Sequence, residues 1–164
     1  MNIKILDKTK KKKFVEGLGE LGLEKVPELL IKSGNERVRA FSSSLTREEL
    51  NEFLFHLPVE LIGLYVGKEL MDRHGVMEVR LSLDGLHLWK EQITGNIIEL
   101  DKDNEEKWFL GRDLEFGNEE MKGKFIAVKS KASGDFIGTG KFSIDGKTLY
   151  NYLPKERRRK SQII

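Results

Sequence analysis

The sequence predicts an α+β protein, with a mixed N-terminal α/β domain over residues 1–93 and a small C-terminal β barrel over residues 94–164. Three observations carry that reading. The last third holds two β-branched and aromatic runs, Phe125-Ile126-Ala127-Val128-Lys129 and Phe136-Ile137-Gly138-Thr139-Gly140-Lys141-Phe142. The turn cluster Ala132-Ser133-Gly134-Asp135 divides them, which is the pattern of a β-hairpin. Earlier, Thr46-Arg47-Glu48-Glu49 has the form of a capping box ahead of Leu50, Phe53, Leu54 and Leu57, the start of an amphipathic helix that stops before Pro58. Finally, the charge is divided. Residues 121–164 hold eleven Lys or Arg against three acids, a balance of +8, while residues 1–120 hold the other 18 basic and 24 acidic residues, a balance of −6.

Taken in order, Lys10 to Lys13 lead into Phe14, Val15, Leu18 and Leu21, whose spacing predicts a helix over residues 8–23 with Gly22 as its stop. A lysine run at a helix start opposes the helix dipole, so it reads as a solvated leader or a phosphate contact. Residues 26–31 are apolar and form either a helical turn or a strand, ended by Ser33-Gly34-Asn35. Arg37-Val38-Arg39-Ala40-Phe41 alternates like a half-buried strand. Residues 61–66 form a near-continuous apolar run, the mark of a strand buried on both faces. Residues 71–75 are a turn, and 79–89 fit alternation at Leu81 and Leu83 or a helix face through Leu83, Leu86, Leu88 and Trp89. Ile93-Thr94-Gly95-Asn96 is the domain boundary. A strand follows at residues 97–100, then a helix over 101–111 packing Trp108, Phe109 and Leu110, then a polar connection over 116–124.

Composition narrows the chemistry. The chain has no Cys, which excludes disulfides, thiolate zinc sites and cysteine nucleophiles and suits a reducing compartment. No apolar run approaches the ~18 residues that span a bilayer. The N-terminal lysines are not followed by a signal-type apolar stretch. A cytoplasmic protein without a membrane partner is expected. His56, His74 and His87 lie in separate segments with no shared spacing, so neither a metal site nor a catalytic set is read from them. Gly138-Thr139-Gly140 lacks the third glycine and the following helix of a dinucleotide loop, and no cofactor is expected.

A net charge of +2 that divides into a basic end and an acidic centre favours a polyanionic partner. The candidate RNA-binding residues are Lys141, Lys147, Lys155, Arg157, Arg158, Arg159 and Lys160, each able to neutralise a phosphate. Tyr150 and Tyr152 alternate ahead of the block and either stack on bases or pack inward. Asn151 either contacts a base edge or caps the turn. Gly138 and Gly140, on one face of a strand, mark a close backbone approach, to RNA or within a closing barrel.

The run from Gly134 to Phe142, followed by Asp145-Gly146-Lys147-Thr148-Leu149-Tyr150-Asn151-Tyr152-Leu153-Pro154-Lys155-Glu156-Arg157-Arg158, resembles the closing half of a PUA domain. PUA domains are small pseudo-barrels that bind structured RNA. The end of this run is similar to the PUA-like tails of RNA cytosine-C5 methyltransferases. Residues 61–68, 80–89 and 106–111 resemble runs of the two-domain "Nip-seven" family of pre-ribosomal RNA processing. The resemblance favours a helix over the later part of 79–89. It also implies a non-catalytic protein that binds rRNA precursor or tRNA, with the N-terminal domain widening the RNA surface or holding an RNA-modification or ribosome-assembly protein. A methyltransferase would need a Rossmann domain and a nucleophilic Cys, both missing here.

Overall fold

The computed structural model describes residues 3–160. The chain divides into two compact units, Met1–Gln92 and Ile93–Ile164.

The first unit is built on one antiparallel sheet of five strands in sequence order: β1 (Ile3–Ile5), β2 (Leu29–Ser33), β3 (Arg37–Phe41), β4 (Leu64–Met71) and β5 (Met77–Leu81). Helix α1 (Lys8–Glu16) starts at Asp7, whose side chain accepts from the Lys10 amide at 2.8 Å. It buries Phe14 completely, edge-on to Trp89 with centroids 6.5 Å apart. The helix expected over 8–23 ends at Glu16 because the chain must pass close to β5. A Cβ at Gly17 would lie 2.5 Å from Val79 Cγ2. A 3-10 turn, Gly19–Leu21, follows, and Gly22 ends it at φ 100°. Of the two forms open for residues 26–31, the chain takes the strand, β2.

The capping box at Thr46 forms as the sequence predicts. Thr46 Oγ1 accepts from Glu49 N at 3.2 Å, and Glu49 Oε2 accepts from Thr46 N at 2.7 Å. The helix it starts, α2 (Arg47–His56), buries only Leu50, while Phe53 and Leu57 stay nearly half exposed. The apolar run at 61–66 is not a strand buried on both faces. Gly63 turns the chain at φ 83°, β4 begins at Leu64, and Leu61 and Leu64 are exposed. At the β4–β5 turn, Asp72 Oδ1 accepts from the amides of His74 and Val76, both at 2.8 Å. The ambiguous segment 79–89 resolves into both forms. Strand β5 runs to Leu81, Ser82 caps with its hydroxyl on Gly85 N, and α3 (Leu83–Leu88) follows.

The second unit contains β6 (Ile97–Leu100), α4 (Lys102–Phe109), β7 (Leu114–Glu115), β8 (Phe125–Ser130), β9 (Phe136–Phe142) and β10 (Thr148–Asn151). Its sheet order is β6-β8-β9-β10-β7, with β6 parallel to β8 and the other pairs antiparallel. The sheet is open and curled into half a barrel. The predicted hairpin is β8–β9, in register from Phe125 opposite Lys141 to Val128 opposite Gly138, with a bulge after Val128. Asp101 caps α4 by accepting from Asn104 N at 2.9 Å. Of the three apolar residues expected to pack from this helix, Trp108 is fully buried and Phe109 and Leu110 are half-buried. No helix among the described residues is long and apolar enough to cross a membrane.

Candidate nucleic-acid interface

The end of α4 organises the C-terminal basic block. A helix leaves its last carbonyls without intrahelical partners and carries partial negative charge there, so cations and N–H donors gather at that end. Asn151, at the end of β10, donates through Nδ2 to Trp108 O at 2.8 Å and to Arg112 O at 3.0 Å. Its Oδ1 accepts from Leu153 N at 2.8 Å, and its backbone N–H donates to Asp113 Oδ1 at 2.9 Å. With a relative exposure of 8%, this side chain is an internal brace between β10 and α4. Of the two roles open to Asn151 in the sequence, the turn-capping one is the one its hydrogen bonds serve.

Beyond Pro154 the chain makes a 3-10 turn, Lys155–Arg157, and returns to α4. Arg159 N donates to Phe109 O at 2.7 Å, and the Arg159 guanidinium carbon stands 4.5 Å from the Phe109 ring centroid. Arg158 Nε donates to Leu153 O at 2.9 Å. The Arg158 side chain lies across Gly111, where a Cβ would be 2.5 Å from Arg158 Cδ. Gly111 also has φ 81°, so two independent constraints require glycine there. Arg158 is therefore a latch, half-buried, whereas Lys155, Arg157, Arg159 and Lys160 are exposed. Leu110, Arg112, Lys155, Glu156, Arg158, Arg159 and Lys160 line one cleft, in which Glu156 is the single acid. Arg112 belongs to this group, and sequence reading missed it because it lies more than forty residues from the block.

The aromatic residues occupy the sheet. Lys141 on β9 pairs with Phe125 on β8 and Tyr150 on β10, so the three side chains share a face. Lys141 Nζ lies 4.7 Å from the Phe125 ring centroid, and Phe125 and Tyr152 have centroids 6.4 Å apart. Tyr150 is 42% exposed and Tyr152 is half-buried. Phe125 joins the candidate set through its register with Lys141. Gly138 and Gly140 lie on the opposite face, under the indole of Trp108. A Cβ at Gly138 would be 2.8 Å from Trp108 Cζ2, and one at Gly140 would be 2.5 Å from Tyr150 O. The close approach read from these glycines is thus that of α4 and a neighbouring strand. Trp108 Nε1 completes the contact by donating to Ile137 O at 3.1 Å.

Lys147 stands apart from the cleft, on the tight turn between β9 and β10. There Asp145 Oδ1 accepts from Ser143 Oγ at 2.6 Å and from Lys147 N at 3.0 Å. These bonds, the Ser143 hydroxyl first, hold the Asp145 carboxyl below its usual range. His56, His74 and His87 are exposed and sit in α2, the β4–β5 turn and α3. Among the described residues, no group of three or more His, Cys, Asp or Glu side chains is placed to hold a metal ion.

No protein-family model matches this chain, and no curated protein sequence does. Among solved structures it is similar to a PUA domain from Aeropyrum pernix K1, crystallised as a tartrate complex, with a TM-score of 0.56 at 13% identity. That match covers 98% of this chain and 88% of the other. It is also similar to a hypothetical protein from the hyperthermophilic archaeon Pyrococcus horikoshii OT3, with a TM-score of 0.55 at 13% identity, covering 94% of this chain and 97% of the other. The fold is PUA-like.

Proposed function

We propose that this protein binds structured RNA, a ribosomal precursor or a transfer RNA, through its C-terminal basic cleft, and that it does so without chemistry of its own. One observation carries the reading. The basic block is a turn pinned to the end of α4, which holds Lys155, Arg159 and Lys160 around one cleft with Arg112. Cations held in place lose less side-chain freedom on meeting a phosphate than the same cations on a loose tail. The half-exposed Tyr150 on the sheet supplies a ring for an unstacked base, the usual target of sequence-dependent RNA recognition. PUA-like architecture supports an RNA partner, and the resemblance to pre-ribosomal processing proteins and methyltransferase tails supports a place in ribosome assembly or RNA modification.

A second reading, an adaptor that holds a protein partner, is favoured by the exposed apolar side chains around α2. Phe55 is 85% and Leu61 62% exposed, next to Glu48, Glu49, Glu52 and Glu60.

Fluorescence anisotropy with labelled hairpin RNA across a salt series separates the two. Affinity that falls steeply with salt supports RNA binding, whereas a stable protein complex with no RNA affinity supports the adaptor. Mass spectrometry of the RNA after incubation, with and without S-adenosylmethionine and divalent metal, tests the absence of chemistry. The expected result is an unchanged mass, and unchanged affinity when His56, His74 and His87 are all replaced by Ala. A mass shift that disappears in that triple variant would make the protein an enzyme.

A further inference from the structure

The first unit carries as many acidic as basic side chains, yet one face of its sheet gathers cations from three adjacent strands. Arg37 and Arg39 are two apart on β3 and share a face. Arg39 pairs with Tyr65 and Arg37 with Lys68, both on β4. On a regular strand Tyr65 and Lys68, three residues apart, would point to opposite faces. The β3–β4 pairing instead shifts register between Val38 and Arg39, leaving Val66 as an extra residue in β4. That bulge turns Tyr65 and Lys68 to the same side. Lys68 in turn pairs with Arg80 on β5, which brings a fourth cation to this face. The opposite face belongs to α1: Val38 is fully buried there, and Gly67 meets Phe14.

Two of the cations are held by neutral groups. Arg39 Nη1 donates to Gly63 O at 2.9 Å, and the Arg37 guanidinium carbon lies 5.7 Å from the Tyr65 ring centroid. Arg80 hydrogen-bonds the Tyr65 side chain. The Tyr65 main chain is fixed by Ser82 Oγ, which donates to Tyr65 O at 2.8 Å. Burial raises the Tyr65 hydroxyl above its usual pKa, and Arg80, Arg37 and Arg39 act against that rise. Among the described residues no carboxylate forms an ion pair with Arg37, Arg39 or Lys68. The Glu69 carboxylate is engaged by Lys32 at 2.7 Å, and Glu78 shares the face two residues before Arg80. Arg39 Nε is buried with no hydrogen-bond partner. A buried donor in that state destabilises the fold until an acceptor meets it.

A cluster of three guanidinium groups and an ammonium, built by a bulge and braced by a tyrosine, has no need of such positions for the sheet itself. Like charges on adjacent strands oppose pairing. We infer that Arg37, Arg39, Lys68 and Arg80, arranged around Tyr65, form a second phosphate-contacting patch that binds the backbone of a nucleic acid. Guanidinium forks suit phosphate oxygens, and the four cations are spread over three adjacent strands. It goes beyond the C-terminal cleft and does not depend on it.

The test compares three folded variants of the full chain by anisotropy with labelled hairpin RNA over a salt series, their fold checked by circular dichroism. Arg37→Gln with Lys68→Gln removes two cations of the patch. Lys25→Gln with Lys90→Gln removes the same charge from exposed positions elsewhere in the unit. The four-site tail variant Lys155→Gln, Arg157→Gln, Arg159→Gln, Lys160→Gln reports on the cleft. The patch variant is expected to lose about 5- to 10-fold in affinity and to flatten the salt slope by about 1.5, as two lost phosphate contacts would. The Lys25/Lys90 control should lose less than about 2-fold. Equal losses in patch and control overturn the inference while leaving the cleft reading intact. A tail variant that binds like the wild type overturns the cleft reading and leaves the patch standing. Binding to phosphatidylserine vesicles that needs Arg37 and Lys68, with RNA affinity unaffected by them, would also overturn the nucleic-acid assignment.

Discussion

Asn151 Nδ2 donates to the main-chain carbonyl of Trp108 at 2.8 Å, and this bond joins the last strand of the second unit to the end of its helix. The same amide reaches Arg112 O, and its oxygen holds Leu153 N, so one buried side chain fixes the path of the chain into the basic turn. Replacing Asn151 by Ala leaves two carbonyls and an amide of this junction without that partner. The expected cost is about 2 kcal/mol, since a buried polar group left unpaired costs ~1–3 kcal/mol. Urea denaturation of the N151A variant measures it. A loss of RNA affinity without any loss of stability would return Asn151 to the RNA interface.

Substitution at the glycines of β9 should act through packing. A methyl group at Gly140 meets Tyr150 O at 2.5 Å, main chain that shifts only with β10, whereas at Gly138 it meets the edge of the Trp108 ring at 2.8 Å. Both G138A and G140A are expected to destabilise by about 1–3 kcal/mol, with G140A the worse. Chemical denaturation ranks them. Equal, unperturbed midpoints would mean that the indole and the strand move aside freely.

Charge removal and truncation at the C-terminus should differ. Neutralising Lys155, Arg157, Arg159 and Lys160 leaves the Arg158 latch and the Arg159 main-chain bond in place, so stability is expected to hold within about 1 kcal/mol while RNA affinity drops tenfold or more. Truncation after Leu153 removes Arg158 from Gly111 and leaves Phe109 O without its donor. The truncated chain should therefore melt at a lower temperature as well as bind less RNA. Thermal melts beside anisotropy separate the two effects. A truncated chain as stable as the full one would show that the turn does not brace α4.

Acid should loosen the β9–β10 turn through Asp145. Its folded-state pKa lies below the unfolded value, because Ser143 Oγ and Lys147 N hydrogen-bond the charged form. The folded state then binds fewer protons, so this contribution is present above the unfolded pKa, near 3.9, and is lost as the pH falls through the lower folded value. D145N removes the titration and should flatten the stability profile below about pH 4 relative to wild type. Denaturation midpoints between about pH 2 and pH 5 make the comparison. Parallel profiles for the two proteins would assign acid sensitivity to other carboxylates.

Much of the local structure was legible along the chain because its causes lie within a few residues. The Thr46–Glu49 box, the Ala132–Asp135 turn and the alternation at 37–41 each bring their own hydrogen-bonding or packing logic, and each appears where the sequence places it. Helix α1 and the run at 61–66 were misjudged where a distant neighbour decides. Val79 limits how far α1 extends past Gly17, and the turn at Gly63 delays β4, with a Cβ there 2.7 Å from Ala40 O. The basic block was visible as composition, but its partner Arg112 and its anchor on Phe109 were not, because they come from another segment.

By itself, then, the sequence determined helix α2, strands β3 and β6, helix α4, the hairpin β8–β9 and the basic character of the end of the chain. Hydrophobic period, capping and turn chemistry act over three or four residues and leave a readable pattern. Only tertiary structure decided that Gly138 and Gly140 face Trp108, that Asn151 turns inward and that Tyr65 and Lys68 share a face. These outcomes depend on strand register and on one extra residue in β4, and a single-residue shift in register exchanges the two faces of a strand.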